Sequence, residues 1–280
     1  MAITAEAVRN LRSETGLPMM DCKKALTECN GDAEAAKAWL RERGAQVLSK
    51  RGDRETSFGR FGIYGAIGGD YGAIVELQCE SAPVTNNDEF IQLCNDLAEG
   101  LAKSGVATAE ELLAQPSPSK AGMTLAEQKD DLFNRIREVF NVGRMQRYEG
   151  SCGGYCHNAG TVHGVLIQVE GGTDELAKDI SMHIAAMRPA ALSVEDLSAE
   201  DVERERSALR DAALQEGKPE NIVDKMVDGR MRNYFADRVL LEQPYVKDDS
   251  QTVGKFAAAN GIQVKAFVHW ELGGSGGSNV

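Results

Sequence analysis

The stretch that decides the fold spans residues 71–101 and reads YGAIVELQCESAPVTNNDEFIQLCNDLAEGL. It opens with residues 73–77, whose β-branched side chains and partial alternation predict a β-strand. It breaks at residues 79–87, where Pro83 lacks an N–H group and biases Ala82 toward an extended conformation. The strand therefore ends in a loop rather than continuing through the break.

After the loop the same stretch resumes as a helix, with Asn87 or Asp88 as its N-cap. Its apolar residues recur at helical spacing: Phe90, Leu93, Cys94, Leu97 and Leu101. A strand–loop–helix of this kind holds a short loop above a packed base, and loops so held often carry function.

Composition limits the classes of protein to consider. The chain has 280 residues, of which 42% are hydrophobic and 26% charged, as in a globular protein of one or two domains. Its 31 basic and 43 acidic residues give a net charge of −12. This acidic balance argues against a nucleic acid as the main partner, because phosphate binding needs a basic face.

The chain carries no sequence signal for a membrane or for secretion. No apolar run approaches the roughly 20 residues that a membrane span needs. The opening residues, MAITAE, lack the basic and apolar regions of a signal peptide. We therefore expect a cytoplasmic protein whose six cysteines are reduced thiols.

Residues 1–45 predict three short helices. Thr4, Asp21 and Asp32 are the expected N-caps, and Gly16-Leu17-Pro18, Asn30-Gly31 and Gly44 are the expected ends. A core this small is marginal alone, so docking onto a partner is plausible. Residues 46–57, with Lys50, Arg51 and Arg54, are expected to form a solvated linker.

An internal repeat follows. Its first copy contains residues 62–67, a turn at 68–70, the strand at 73–77, the loop and a helix at 88–102. Its second copy contains residues 155–160, a strand at 164–169, a turn at 170–172 and a helix at 174–187, with Leu176, Ile180, Ile184 and Met187 inward. A further helix is expected over 124–142. Hairpin-plus-helix copies predict an α+β core with antiparallel sheet.

The second copy is interrupted by an insertion. Residues 198–240 show a thin apolar seam between charged faces, with Val202, Leu209, Ile222, Val223 and Tyr234 among its members, which predicts a protruding antiparallel helical hairpin. The chain then returns through residues 243–246, a helix at 252–260 and a strand at 263–272. The predicted division is 1–50 (N-terminal domain), 51–148 (core subdomain N), 149–190 with 243–272 (core subdomain C), 191–242 (hairpin) and 273–280 (flexible tail).

Several motifs together resemble one family, the bacterial elongation factor Ts. They are TGLPMMDCKKAL at 15–26, NGD at 30–32, SMHIAA at 181–186, SAE at 198–200, GKP at 217–219, DGRM at 228–231, QPYV at 243–246 and TVG at 252–254. The resemblance covers nearly the whole chain. It implies that residues 1–50 form a ubiquitin-associated-like three-helix domain that docks on the GTPase domain of elongation factor Tu.

The family's activity is implied by the same resemblance. Elongation factor Ts is a guanine-nucleotide exchange factor: it promotes release of GDP and Mg²⁺ from elongation factor Tu without bond chemistry. The resemblance implies no catalytic residue, no cofactor and no metal site in this chain. No Gly-rich run matches a phosphate-binding P-loop, so we expect no direct binding of nucleotide, and the charge and the lack of an apolar span predict no binding of nucleic acid or membrane. A homodimer through subdomain C or the hairpin is left open.

The family uses a loop written Thr-Asp-Phe-Val-Ala-Lys-Asn, whose Asp-Phe pair enters near the partner's Mg²⁺ site. The matching positions here are Ser81, Ala82, Pro83, Val84, Thr85, Asn86 and Asn87. Ala82 and Pro83 depart from the pattern, because the carboxylate is absent and a rigid ring replaces the aromatic ring. Either Pro83 and Val84 act as a steric wedge, which we favour, or Mg²⁺ loss follows from other contacts.

Two further contacts with the partner are implied. Met19 and Met20 match the docking helix, where thioether side chains adapt to irregular surfaces. The alternative is that one of the two belongs to the core and the other is an ordinary surface residue. His157 matches a family histidine near the partner's phosphate-binding region, and the alternative is an ordinary histidine on a surface hairpin.

Two rival functions use other residues. Cys152, Cys156 and His157 could form the centre of a thiol or metal enzyme, although a zinc site needs a second pair of ligands. Loss of activity on substitution of both cysteines would favour that enzyme. Residues 1–45 alone could act as a ubiquitin-like adaptor, which truncation at residue 50 would reveal by abolishing binding. His163, His183 and His269 are expected to be packing or surface residues.

Overall fold

The computed structural model describes residues 3–52, 54–158, 160–217, 219–274 and 277–279. The protein is α+β, as the sequence predicts. Its described helices are α1 (Ala5–Thr15), α2 (Met19–Glu28), α3 (Ala33–Ser49), α4 (Asp88–Ser104), α5 (Ala109–Leu113), α6 (Leu125–Ile136), α7 (Asp174–Met187), α8 (Ala199–Gln215), α9 (Glu220–Arg238) and α10 (Val253–Ala259). Its described strands are β1 (Phe58–Tyr64), β2 (Tyr71–Cys79), β3 (Phe140–Glu149), β4 (Cys152–His157), β5 (His163–Gly171), β6 (Pro244–Tyr245), β7 (Asp248–Thr252), β8 (Ile262–Glu271) and β9 (Gly277–Asn279).

The chain divides into two compact units. The first unit contains Met1–Gly62 and Val75–Met145, and the second contains Ile63–Ile74 and Gln146–Val280. This division is coarser than the five parts expected from the sequence, whose boundaries stay predictions. It places the three N-terminal helices together with α4, α5 and α6 in the first unit.

The three N-terminal helices form around a small apolar core. Thr4 caps α1 by accepting a hydrogen bond from the Ala7 amide at 3.1 Å. Asp32 caps α3 by accepting from the Ala35 amide at 3.0 Å. The buried residues that the helices share are Val8, Leu11, Leu17, Cys22, Ala25, Leu26, Ala36 and Leu40. Two of the three predicted caps are therefore confirmed.

The predicted start of α2 and the predicted end of α3 are wrong. Helix α2 begins at Met19 with Pro18 as N-cap, so Asp21 lies in the first turn, where its carboxylate faces the positive end of the helix dipole. Helix α3 continues through Gly44 to Ser49. A Cβ atom at Gly44 would lie 1.8 Å from Asn134 Oδ1, so this glycine permits close packing against α6 rather than ending the helix.

The expected linker at 46–57 is more structured than predicted. Its first residues, 46–49, belong to α3. Arg51 donates from Nη1 to the Arg137 carbonyl oxygen at 2.9 Å. Arg54 Nη1 forms an ion pair with Glu80 Oε2 at 2.8 Å. The basic residues of this segment therefore attach it to the rest of the first unit.

The stretch that decides the fold forms the elements that the sequence predicts, each slightly longer. Strand β2 lies between β1 and β3 in a three-stranded sheet. Asn87 caps α4, because its Oδ1 accepts from the amides of Glu89 at 3.0 Å and Phe90 at 3.1 Å. The five apolar positions of α4 are all buried: Phe90, Leu93, Cys94, Leu97 and Leu101.

The helix predicted over 124–142 is too long, and strand β3 was missed. Helix α6 ends at Ile136 because Arg137 takes a left-handed conformation with φ 67° and closes it. The chain then enters β3, where Phe140 packs against Phe90 of α4 with ring centroids 5.4 Å apart. Val139 and Phe140 follow the apolar residues of α6 at helical spacing. The sequence pattern therefore does not show that the helix ends before them.

The second unit is built on an antiparallel sheet with strand order β4-β5-β8-β9. Helix α7 packs on β4 and β5. The core of this unit includes Val165, Ile167, Ile180, Ile184, Leu240, Tyr245 and Phe267. The predicted inward position of Met187 is wrong, since its side chain is 42% exposed at the last turn of α7.

The predicted flexible tail at 273–280 is in part a strand. Gly277–Asn279 pairs antiparallel with β8, opposite Val268, His269 and Trp270. The outer edge of β8 offers unpaired backbone groups, and a short terminal strand satisfies them. Residues 275, 276 and 280 lie outside the described residues.

Helices α8 and α9 pack against each other as an antiparallel pair, as predicted. Arg206 pairs with Asp228 at 2.9 Å, Arg210 pairs with Asp224, and Arg230 pairs with Glu216 at 2.8 Å. The buried seam consists of Ala213, Val223, Val227 and Met231. Ile222 was expected in the seam but is 44% exposed. Among the described residues, no helix is both long enough and apolar enough to cross a membrane.

Candidate functional site

The loop between β2 and α4 contains a short 3₁₀ helix, Ala82–Asn86, rather than the extended break that the sequence suggested. Pro83 fits near the start of this turn, where a missing N–H group leaves no hydrogen bond unmade. Thr85 closes the turn, because its Oγ1 donates to the Ala82 carbonyl oxygen at 2.7 Å. The loop therefore has a fixed shape of its own.

Side chains from distant parts of the first unit hold both ends of the loop. At the start, Ser81 donates to Glu138 twice, from its amide at 3.0 Å and from Oγ at 2.5 Å. At the end, Arg60 Nη1 donates to the Thr85 carbonyl oxygen at 3.0 Å. Asn87 then caps α4. The loop is thus presented by a rigid base rather than by its own backbone alone.

The loop presents Ala82, Pro83 and Asn86 to solvent and turns Val84 inward. Val84 is only 8% exposed. The interpretation of Val84 as part of an exposed wedge is therefore wrong, because its side chain helps to seat the loop. Pro83 alone is left as the ring at the apex.

The two methionines at the start of α2 are both exposed, Met19 by 43% and Met20 by 72%. Further along this helix Cys22, Ala25 and Leu26 are buried. The alternative in which one methionine belongs to the core is excluded. An exposed pair of adjacent thioethers forms an adaptable apolar surface in the first unit.

His157 ends strand β4 in the second unit and is exposed. Its Nδ1 lies 3.0 Å from the hydroxyl of Tyr155, and the two rings are 6.2 Å apart between centroids. Because Tyr155 and His157 are two residues apart on one strand, both side chains lie on the same face. The tyrosine therefore orients the imidazole toward solvent.

Comparison with known proteins places this sequence in a family. The family model described as "Elongation factor TS" matches residues 83–274, more than half of the chain. The elongation factor Ts of Methylococcus capsulatus is 40% identical over 276 residues, covering 98% of this chain and 93% of the relative. That of Halothermothrix orenii is 36% identical over 279 residues, with the same two coverages.

The chain belongs to the elongation factor Ts family. It is therefore a factor of translation elongation, as the sequence motifs predict. The elongation factor Ts relatives extend over the N-terminal helices as well, because the matched 98% of the chain includes residues before the start of the family model.

Cys152, one of the two cysteines of the thiol-enzyme alternative to an elongation factor Ts, is not suited to act as a nucleophile. The thiol of Cys152 is completely buried. Burial raises the pKa of Cys152 to about 11, so at neutral pH it is a protonated thiol and a poor nucleophile. The same cause raises the pKa of Cys79, next to the loop, to about 12. Both cysteines behave as small core residues.

The other three histidines of this elongation factor Ts chain are buried and hydrogen-bonded. His163 Nδ1 lies 3.0 Å from His269 Nε2, with the rings stacked at 5.2 Å. His183 accepts from the Val246 amide at Nδ1, at 3.1 Å, so its Nε2 carries the proton and donates to Gln243 at 2.9 Å. Burial lowers the pKa of His163 and of His183. The expected packing role is confirmed for all three.

Sequence reasoning missed the residues that hold the loop. Glu138 lies 57 positions after Ser81, and Arg60 lies 25 positions before Thr85. Neither belongs to a motif, and no spacing rule links them to the loop. The basic residues Arg135 and Arg137 are typical of the last turn of a helix, and they could have indicated that α6 ends before residue 142.

Proposed function

We propose that this chain is a guanine-nucleotide exchange factor for elongation factor Tu. It binds the GDP-bound partner in the cytoplasm, promotes release of GDP and Mg²⁺, and stabilises the nucleotide-free partner until GTP binds. The observation that carries the proposal is the anchored, exposed loop at 81–87, in a chain related along 98% of its length to elongation factor Ts. No bond is made or broken in this activity.

Exchange of this kind depends on a difference in affinity between two states of the partner. A factor that bound the GDP-bound and nucleotide-free partner equally well would not weaken the partner's affinity for GDP. The docking surface supplies affinity for both states. The loop supplies contacts that exist only after the nucleotide site has opened, and these contacts provide the coupling free energy.

The docking surface in this proposal is the Met19–Met20 pair. Both side chains are exposed, whereas Cys22, Ala25 and Leu26 of the same helix are buried in the core of the N-terminal helices. Burying two thioether side chains against an apolar groove contributes about 2 kcal/mol each when the burial is complete. The pair therefore has enough apolar surface to anchor the first unit on a partner.

The loop acts sterically in this proposal. Ala82 and Pro83 offer no carboxylate, so the loop cannot compete directly for Mg²⁺ through a charge at its apex. Pro83 instead presents a rigid apolar edge on a 3₁₀ turn that is held at both ends. A preformed loop loses little conformational entropy on insertion, which compensates for its smaller contact area.

His157 provides a further contact from the second unit in this proposal. It is exposed and oriented by Tyr155. A neutral or protonated imidazole can donate a hydrogen bond to a backbone carbonyl or phosphate-binding element of the partner. Homodimerisation through the second unit or the α8–α9 pair stays a prediction.

A mixing experiment tests the proposal. Elongation factor Tu loaded with fluorescent GDP is mixed with catalytic amounts of the full chain and an excess of unlabelled GDP. The expected result is release of the label accelerated by orders of magnitude over the spontaneous rate. An unchanged rate with a partner from the same source would refute the proposed function, and the thiol-enzyme and adaptor alternatives would then need other substrates or ligands.

A further inference from the structure

The C-terminal end of α6 packs against the N-terminal helices. Asn134 lies directly against Gly44 of α3, where no side chain would fit. A Cβ at Gly16 would lie 2.9 Å from Arg135 Cδ, and Gly16 also holds φ 69°, so the α1–α2 turn fits closely over this arginine. Arg135 in turn pairs with Glu89 of α4 and with Asp131. The three N-terminal helices are thus seated on α6 at this end.

Arg137 occupies the position at which α6 ends. Its φ of 67° is left-handed, which is uncommon for a residue with a side chain. Its guanidinium donates from Nη2 to Asp21 Oδ2 at 2.6 Å, with both side chains about 30% exposed. Its carbonyl oxygen accepts from Arg51 at 2.9 Å. Asp21 is the residue immediately after Met20, so this ion pair holds the turn of α2 that carries the two exposed methionines.

The next two residues, Glu138 and Val139, form hydrogen bonds with residues at the start of the loop. Glu138 accepts both hydrogen bonds from Ser81. The Val139 amide donates to Glu80 Oε1 at 2.8 Å. Glu80 also pairs with Arg54, and although burial opposes it, these partners lower the pKa of Glu80. Residues 137–139 therefore contact both α2, which carries the exposed methionines, and the base of the loop.

We propose that Arg137 is a positioning residue that fixes the orientation of the docking methionines relative to the exchange loop. This inference rests on the proposed exchange function. With Arg137 in place, docking of α2 on the partner brings Pro83 to a defined position. Without the guanidinium, α2 still docks through its methionines, but the loop searches a wider range of positions before it inserts.

This role predicts which kinetic parameter changes. Encounter with the GDP-bound partner uses the methionines, so the concentration of factor that gives half-maximal release stays within about twofold of the wild-type value. Insertion of the loop uses the fixed geometry, so the maximal rate of GDP release falls about three- to tenfold, the range for loss of a partly exposed ion pair with its ordering. A general loss of fold would not produce this pattern, in which the maximal rate falls while the half-maximal concentration stays the same.

The backbone conformation makes a clean variant available. Arg137→Gly removes the guanidinium and leaves a residue that adopts the left-handed conformation without strain. Arg188 provides the matched control, because it is also a left-handed arginine that closes a helix, α7 in the second unit, with φ 50°. Arg188→Gly should leave both kinetic parameters unchanged.

A double-mutant cycle with Asp21→Ala completes the kinetic test. The account expects the maximal rate of the double variant to be no lower than that of the worse single variant. Additive effects, a wild-type maximal rate in Arg137→Gly, or a raised half-maximal concentration with an unchanged maximal rate would each overturn the positioning role.

A distance measurement in the free protein separates this inference from the proposed function. Spin labels are placed at the exposed positions Lys24 and Asp88, with Cys29 and Cys156 replaced by serine, and the distance distribution is read by double electron–electron resonance. Arg137→Gly should broaden the distribution, and Arg188→Gly should not. If the wild-type chain fails to exchange nucleotide, a broadened distribution still supports the positioning of α2 by Arg137. An unchanged distribution overturns it.

Discussion

The protein connects a hairpin to a helix in two different ways. In the first case β2 ends at Cys79 and α4 begins at Asp88, so residues 80–87 lie between them. In the second case β5 ends at Gly171 and α7 begins at Asp174, so only residues 172 and 173 intervene. Both helices begin with a side-chain cap, Asn87 for α4 and Thr173 for α7.

The short connection shows that a strand of this kind can pass to its helix through two residues. The six additional residues of the long connection are therefore not required by the hairpin-plus-helix arrangement. They are nevertheless ordered, since Glu138 and Arg60 hold them at both ends. An ordered, exposed loop that the hairpin-plus-helix arrangement does not require supports the proposal that it contacts a partner.

The largest expected effect comes from the docking surface. Met19→Asp combined with Met20→Asp places two charges in an apolar contact, where each unpaired charge costs several kcal/mol. Exchange should fall more than about a hundredfold, at 1.4 kcal/mol for each factor of ten. Stopped-flow release of fluorescent GDP measures the effect, and circular dichroism checks the fold.

The matched control for the methionines lies in the second unit. Leu214 and Ile222 are each 44% exposed, and Leu214→Asp with Ile222→Asp introduces the same two charges. This variant should exchange at the wild-type rate. An equal loss in both double variants would mean that added acidity, rather than loss of docking, explains the result.

The next effect concerns the long connection itself. Pro83→Gly removes the rigid edge at the loop apex and leaves Val84 seated, so GDP release should slow about tenfold, or 1.4 kcal/mol of coupling. Restoring the family pattern with Ala82→Asp and Pro83→Phe should leave exchange intact or improve it. Normal exchange by the Pro83→Gly variant would show that the loop does not contribute to GDP release.

A smaller effect is expected at His157. His157→Ala removes one exposed hydrogen-bonding group and should slow exchange by about three- to tenfold, as for a single hydrogen bond to a partner. Tyr155→Phe keeps the imidazole but removes the hydroxyl that orients it, so its effect should be smaller. Wild-type rates in both variants would confine the partner contacts to the first unit.

The smallest effect is a dependence of stability on pH that distinguishes the two units. All four histidines lie in the second unit, two of them with a pKa lowered by burial: His163 and His183. Below about pH 6.5 these imidazoles bind protons in the unfolded chain, but in the folded chain they stay neutral because their pKa is lowered. The free energy of unfolding of the second unit therefore falls as pH falls. Stability lost in this window should not come from the first unit.

Thermal unfolding followed from pH 8 to pH 5.5 measures this loss. In the His183→Gln variant the side chain no longer titrates, so the midpoint should depend less steeply on pH than in the wild type. Protonation of His183 would also break its hydrogen bond from the Val246 amide. The same slope in both proteins would show that His183 is not a source of the acid sensitivity.

The sequence predicts much of this fold because hydrophobic period and capping residues act locally. The core face of α4, the Thr4 and Asp32 caps and the α8–α9 pairing all follow from such rules. The errors lie where tertiary contacts override them. Gly44 is retained in the middle of α3 because Asn134 lies against it, and Arg137 ends α6 in a conformation that is rare outside glycine.

The candidate site is predictable only in part for the same reason. The exposure of Met19 and Met20 agrees with their expected docking role, and residues 81–87 do form a loop. The inward turn of Val84 and the support from Glu138 and Arg60 depend on residues far away in the sequence. No spacing rule links residues so far apart in the sequence, so the sequence pattern does not show which of them will meet at the loop.

The most direct test of the central claim compares the two connections within one complex. A photoreactive benzoylphenylalanine is placed at position 83 in the long connection or at position 173 in the short one, and each chain is irradiated with nucleotide-free elongation factor Tu. The account predicts a cross-link from position 83 to the partner's GTPase domain, its loss when GDP and Mg²⁺ are added, and none from position 173. Equal cross-linking from both positions, or none from position 83 in a chain that still exchanges GDP, would contradict it.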